Sequence, residues 1–122
     1  MLMLLYCAAL MSICFLSRAH EWKKHGTCAT RLPGCTTIAS YFQTTLRLRQ
    51  AVDVRKGLQK AGITPSDSVG YKVEHILSAI KKHVGVKPLL GCSFFSGWPA
   101  LSQVSFCYNM KMELIECDFD VR

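Results

Sequence analysis

His20-Glu21-Trp22-Lys23-Lys24-His25-Gly26-Thr27-Cys28 brings two imidazoles, a carboxylate and two ammonium groups into one short stretch, a concentration of ionisable groups that no other part of the chain repeats. Wound as a helix at about 100° per residue, positions 20, 21, 24 and 25 fall near 0°, 100°, 40° and 140°. His20, Glu21, Lys24 and His25 then share one side, while Trp22 points elsewhere and is free to anchor the helix in a core. Three chemistries compete for such a cluster. A metalloprotease helix requires H-E-x-x-H, with histidines at i and i+4; here the second histidine comes one residue later and the rings diverge. A nucleophilic cysteine would use Cys28 with His25, yet no local signature surrounds them. The third chemistry is acid–base work on a phosphodiester. An imidazole moves protons near neutral pH, and an adjacent ammonium group offsets the extra negative charge of a five-coordinate phosphorus. A charged surface helix accounts for the same residues without any chemistry.

Outward from this segment the chain reads as helices first and strands last, an α+β pattern. Arg31-Leu32-Pro33-Gly34 is turn-prone. Ile38 to Gln50 is expected to be a helix, with Tyr41, Phe42, Leu46 and Leu48 available for an apolar side. Asp53 can cap a short helix over 54–61 that Gly62 closes, and Thr64-Pro65-Ser66-Asp67 is a loop. The clearest helix carries Val73, Ile76, Leu77, Ile80 and Val84 at i, i+3, i+4, i+7 and i+11, with Gly85 at its end. After Pro88 the character turns to β. Leu89-Leu90 is a short run; Val104, Phe106 and Tyr108 alternate with Gln103, Ser105 and Cys107; Met112, Leu114 and Ile115 follow a polar turn at 109–111. Cys107 and Cys117 sit on the two arms of this hairpin, where a bridge is geometrically easy.

Composition narrows the class. Half of the 122 residues are hydrophobic, which argues against a disordered chain, and the length supports one core rather than two. The formal charge is +7, and four of the eight acids (Glu113, Glu116, Asp118, Asp120) lie in the last ten residues. The remainder therefore presents a basic field suited to polyanions such as RNA, DNA or anionic lipid. Residues 1–16 are apolar and uncharged; as a helix they would span about 24 Å, short of a ~30 Å hydrocarbon core. Ser17 and Ala19 supply the small residues of a cleavage site, so residues 1–19 read as a signal-peptide-like leader ahead of a domain over 20–122. Of the cysteines outside the leader, namely Cys28, Cys35, Cys92, Cys107 and Cys117, at least one must remain unpaired within the chain. No C-x-x-C spacing points to a zinc ribbon or a thioredoxin-type site.

The pattern H-E-W-x-K-H-G-T-C resembles the second active-site segment of the ribonuclease T2 family and matches it at every fixed position. The resemblance continues through Tyr41-Phe42-Gln43-Thr44, Lys60-Ala61-Gly62-Ile63-Thr64-Pro65, Val84-Gly85-Val86 with Pro88, Cys92, and Val104-Ser105-Phe106-Cys107-Tyr108 to Leu114-Ile115-Glu116-Cys117. It covers roughly residues 20–118 and is closest to plant-type members. It implies an endoribonuclease for single-stranded RNA that needs no metal or other cofactor: the 2′-hydroxyl attacks the adjacent phosphorus, the 5′-oxygen leaves, and a 2′,3′-cyclic phosphate forms before slower hydrolysis. His25 would be one of two acid–base imidazoles, Glu21 and Lys24 would stabilise the transition state, and His20 would contact phosphate.

The family's other imidazole lies in an upstream H-G-L-W-P segment. Nothing before His20 matches it, and Gly97-Trp98-Pro99 echoes it without the histidine. His75 and His83 read as helix-surface residues. The family pairs the equivalents of Cys28 and Cys92 with partners not found here, leaving Cys107–Cys117 as the intact bridge. The resulting expectation is an incomplete ribonuclease T2-like fold, truncated at its N-terminal side, with exposed apolar surface and impaired cleavage; the alternative is a basic RNA-binding remnant without catalysis. A monomer is expected, secreted or held in a vacuolar or lysosomal compartment, with membrane contact only if the leader is retained.

Overall fold

The computed structural model describes residues 17–117, so the body of the expected leader, residues 1–16, lies outside the described residues. A helical run, α1, occupies 17–29 and crosses the junction expected after Ala19; its middle turn, Trp22–Gly26, is π-helical and its last turn is Thr27–Ala29. Helices α2 (Ile38–Ala51), α3 (Val54–Lys60) and α4 (Val73–Val84) follow. Then come strands β1 (Leu89–Phe95), β2 (Trp98–Ser105), β3 (Cys107–Tyr108) and β4 (Leu114–Ile115). The order is helices and then antiparallel strands, the α+β arrangement read from the sequence. No helix among the described residues is long and apolar enough to cross a membrane.

Local chemistry sets the boundaries. Thr37 opens α2 with a capping box: its hydroxyl accepts from the Ser40 amide at 3.1 Å while the Ser40 hydroxyl accepts from the Thr37 amide at 2.9 Å. Asp53 caps α3 by accepting from the Lys56 amide at 3.0 Å. Gly62, at φ 72°, ends α3 in a Schellman turn, with the Gly62 amide donating to Gln59 O and the Ile63 amide to Leu58 O. Gly85, at φ 98°, ends α4.

The expected apolar side of α2 is met at Tyr41, which is buried, and at Phe42 and Leu48, which are half-buried, but Leu46 is exposed, and Thr44 and Thr45 are buried as well. The two threonines tolerate burial because each hydroxyl finds a carbonyl, Thr44 donating to Gly34 O and Thr45 to Tyr41 O, both at 2.8 Å. In α4, Ile80 is fully buried as the periodicity implies, whereas Val73 opens the helix and is exposed. Helices α3 and α4 touch closely at Gly57, where an added Cβ would stand 2.9 Å from His83 Cβ. His83 is thus half-buried against α3 rather than free on the surface.

The β region divides into two hairpins. β1 and β2 pair antiparallel from Leu89↔Ser105 to Phe95↔Trp98, with a bulge at Gly91/Cys92. The two-residue turn Ser96-Gly97 has positive φ at both positions, 50° and 81°, as a type I′ hairpin requires. β3 and β4 pair through Cys107↔Ile115 and Tyr108↔Leu114, and a disulfide joins Cys107 to Cys117 across a Cα separation of 5.2 Å. Asn109 organises the connecting turn, its side-chain oxygen accepting from the amides of Lys111 and Glu113. Val52, Ile80 and Phe106 form one buried cluster, bordered by Leu90, Val104 and Leu114, which joins helices to strands.

Two outcomes follow for stability. Ile80→Ala should lower the unfolding free energy by about 2–5 kcal/mol in a denaturant titration, since a fully buried side chain leaves a cavity. Glu116 accepts from Lys81 Nζ at 3.0 Å and from the Lys87 amide, and these bonds, that from Lys81 first, hold its carboxyl below the usual carboxylate range. A depressed carboxyl stabilises the fold above its unfolded value near 4.5 and loses that contribution as pH falls through the folded value. Thermal melts between pH 3 and 6 (about that window) should show a shallower acid loss in Glu116→Gln than in the parent chain.

Candidate active site

Glu21 sits in the first half of α1, just before the π-helical turn, and is buried at 8% exposure. One carboxylate oxygen, Oε2, is enclosed and accepts no hydrogen bond among the described residues. His25, four residues on, places Nε2 at 3.9 Å from that oxygen and keeps about a third of its side chain in solvent. A buried carboxylate without a donor is costly unless a cation or donor approaches it. The imidazole of His25 is the group placed to do so, and its open side can exchange a proton with a substrate or water.

The other two residues of the expected cluster are arranged differently. His20 and Lys24 are exposed, and among the described residues no hydrogen bond or ion pair ties either of them to Glu21 or His25. They supply positive or polar groups on the solvent side of the helix, while Glu21 and His25 form its partly enclosed pair. The structure therefore unites two of the four residues and leaves two at the rim.

Trp22 holds this helix to α2. Its indole meets the Tyr41 ring edge-on, with centroids 5.6 Å apart, and Tyr41 in turn meets Phe42 at 5.1 Å. Around them lie buried Ala29 and Cys35, with Leu32 and Met112 at the margin. The anchor role read from the sequence for Trp22 holds. Tyr41, read in the sequence as an apolar helix residue and as part of the family resemblance, lies close enough to Glu21 to feel its charge. Burial first, then the Glu21 carboxylate, and then Cys35, raise its phenol above the ordinary value of 10.0. Gly26 entered the sequence reading only as a fixed position of the motif; in the structure the Trp22 ring packs directly against it.

Cys28 is an exposed free thiol and Cys35 a fully buried one. His75 is exposed on α4 beside Tyr71, and His83 packs on Gly57, so both belong to the α3–α4 side of the molecule rather than to α1. Among the described residues no three His, Cys, Asp or Glu side chains gather as a metal-binding set.

The motif agrees with the comparisons. The sequence pattern of the Ribonuclease T2 family matches residues 14–117. The chain belongs to the ribonuclease T2 family. Ribonuclease Oy of Magallana gigas is 34% identical over 102 residues, covering 81% of this chain and 48% of its own length. Extracellular ribonuclease LE of Solanum lycopersicum is 39% identical over 101 residues, covering 81% and 43%. Among solved structures, RNase NT in complex with 5′-AMP superposes with a TM-score of 0.79 at 30% identity, covering 98% of this chain and 56% of that one. This ribonuclease T2 chain thus spans about half the length of the curated relatives it matches.

The phenols give a direct check on these surroundings. Tyr71 accepts a hydrogen bond from the Thr64 amide at 3.3 Å, which lowers its phenol, whereas burial raises Tyr108 and Tyr41. A residue-resolved NMR titration should find Tyr71 ionising first and Tyr41 and Tyr108 above 10.0. Because the folded chain keeps the Tyr41 proton more tightly than the unfolded chain, this stabilisation is complete below pH 10.0 and is lost as pH rises through the folded value. Tyr41→Phe should blunt that alkaline loss.

Proposed function

We propose that this chain carries the second half of a ribonuclease T2-type endoribonuclease site and acts on single-stranded RNA. The observation that carries the reading is the buried Glu21 carboxylate, 3.9 Å from a partly exposed His25, inside a segment that matches the family motif throughout. In this reading His25 takes the 2′-hydroxyl proton. The resulting alkoxide attacks the adjacent phosphorus, the bond to the 5′-oxygen breaks, and a 2′,3′-cyclic phosphate is left. Glu21 steadies the imidazolium that His25 becomes, Lys24 offsets the charge developing on the phosphoryl oxygens, and His20 contacts a neighbouring phosphate. The 5′-oxygen needs a proton as it leaves. In the family the H-G-L-W-P segment supplies the imidazole for this, and these 122 residues contain no such segment. Water must then protonate the leaving 5′-oxygen, so the polypeptide by itself binds RNA through its basic surface and cleaves it slowly, about 10²–10⁴-fold below a site with both imidazoles.

Secretion is part of the same proposal. A disulfide between Cys107 and Cys117 persists in an oxidising compartment, and one relative is named as extracellular. The chain is proposed to act as a monomer without a metal.

Incubating the purified 122-residue chain with polyuridylate and with mixed-sequence RNA, and inspecting product ends for cyclic phosphate, tests the reading. Slow cyclic-phosphate formation that His25→Ala abolishes is the expected result. Fast turnover would overturn the impairment, and slow turnover indifferent to His25→Ala would overturn the assignment of the site. Binding that weakens steeply with salt, with no product at all, would leave the chain as an RNA-binding remnant.

A further inference from the structure

From Leu89 to Met110 the chain carries no charged side chain, although its net charge is +7. The first part of this interval is the β1–β2 hairpin, and residues 92–99 at its far end are all exposed. At about 3.3 Å per residue, the exposed arm from Cys92 to Phe95 extends roughly 10 Å. Strand register assigns the side chains. Directly opposed residues share a face of the ladder, so Phe94 and Pro99 lie on one side with Cys92 and Leu101. Phe95 and Trp98 lie on the other side with Ser93 and Ala100. The three rings are 76–81% exposed, and both faces of the tip are apolar.

This two-sidedness narrows the partner. A folded protein or a nucleobase presents one surface and would select rings on one face. Stacking on RNA would also need cations within reach of the phosphates, and the hairpin has none. Addition of a strand from a second copy is hindered at both edges: the bulge at Gly91/Cys92 breaks β1, and Pro99 lacks an N–H on β2. A lipid interface, by contrast, surrounds a tip on every side and receives Trp and Phe at headgroup depth. Interfacial segments sink about 5–10 Å, close to the length of the exposed arm. At that depth the backbone groups of the two open edges still reach headgroups and water, which the hydrocarbon core would not allow. We propose that the tip formed by Phe94, Phe95 and Trp98 docks the chain on an anionic lipid surface, its net positive charge drawing it in and the rings holding it. The contact needs no membrane-crossing segment and is separate from any that the apolar residues 1–16 would make. It goes beyond the ribonuclease reading and does not rest on it.

The test uses the full chain, the triple variant Phe94→Ser/Phe95→Ser/Trp98→Ser, and Trp98→Phe. The probes are vesicles of phosphatidylcholine alone or mixed with an equal part of phosphatidylserine. The parent should sediment with the anionic vesicles, less so at high salt, and the triple variant should lose about 10–100-fold in partitioning. Because every variant keeps residues 1–16, that loss belongs to the tip. Brominated acyl chains should quench the tryptophan fluorescence of the parent, and Trp98→Phe should remove the effect, since Trp22 is packed against Tyr41 and Gly26. Equal partitioning of parent and triple variant, equal binding to neutral and anionic vesicles, or quenching indifferent to Trp98→Phe overturns the proposal. Two other outcomes overturn it by reassigning the rings. Polyuridylate binding that the triple variant loses, with no vesicle binding, gives them to RNA; self-association that the triple variant abolishes, again with no vesicle binding, gives them to a second copy. If the triple variant does not fold, quenching that depends on Trp98 decides in either direction. His25→Ala should leave partitioning unchanged, so the lipid contact and the catalytic reading stand or fall separately.

Discussion

The indole of Trp22 lies between the bare backbone of Gly26 and the ring of Tyr41, and the site depends on that packing. It is the join between α1 and α2. An aromatic edge contact of this kind contributes on the order of 0.5–1.5 kcal/mol beyond the area it buries, but its geometric effect is larger than its energy. It fixes the rotation of α1 about its own axis, and that rotation decides that Glu21 is enclosed while His20 and Lys24 face water. A helix of the same composition turned by a third of a revolution would expose the carboxylate and bury an ammonium group, at a desolvation cost that nothing nearby could offset.

The second core, around Val52, Ile80 and Phe106, serves as a platform. It ties α4 to the strands, and the strands return the chain through Met112 to the margin of the aromatic cluster below the site. The Cys107–Cys117 bridge holds the smaller hairpin, whose two-residue strands would be marginal alone. The larger hairpin is different: Phe94, Phe95 and Trp98 are 76–81% exposed at its tip.

Helix ends were legible because their chemistry is local. Asp53, Gly62 and Gly85 act within four or five residues of themselves, and each did what its residue type implies; the Thr37 capping box is equally local but was not read from the sequence. The polar part of the inner face of α2 was not legible, because Thr44 and Thr45 become buriable only when Gly34 and Tyr41 offer carbonyls to their hydroxyls. Most of β1 and β2 also escaped the two-residue alternation. The bulge at Gly91/Cys92 breaks the period, and the tip is exposed on both faces, so neither face is selected for apolar residues.

The sequence by itself determined the family, the order of helices and strands, and the residue types available for proton transfer, since motif spacing and capping are properties of neighbours along the chain. Only the tertiary structure decided which of those residues meet. Helical spacing put four side chains on one side; the seating of α1 against α2 encloses Glu21 beside its i+4 neighbour His25 and leaves His20 and Lys24 exposed. That choice comes from a ring on α1 meeting a ring on α2, a pairing of Trp22 with Tyr41 across an intervening turn that no local pattern encodes.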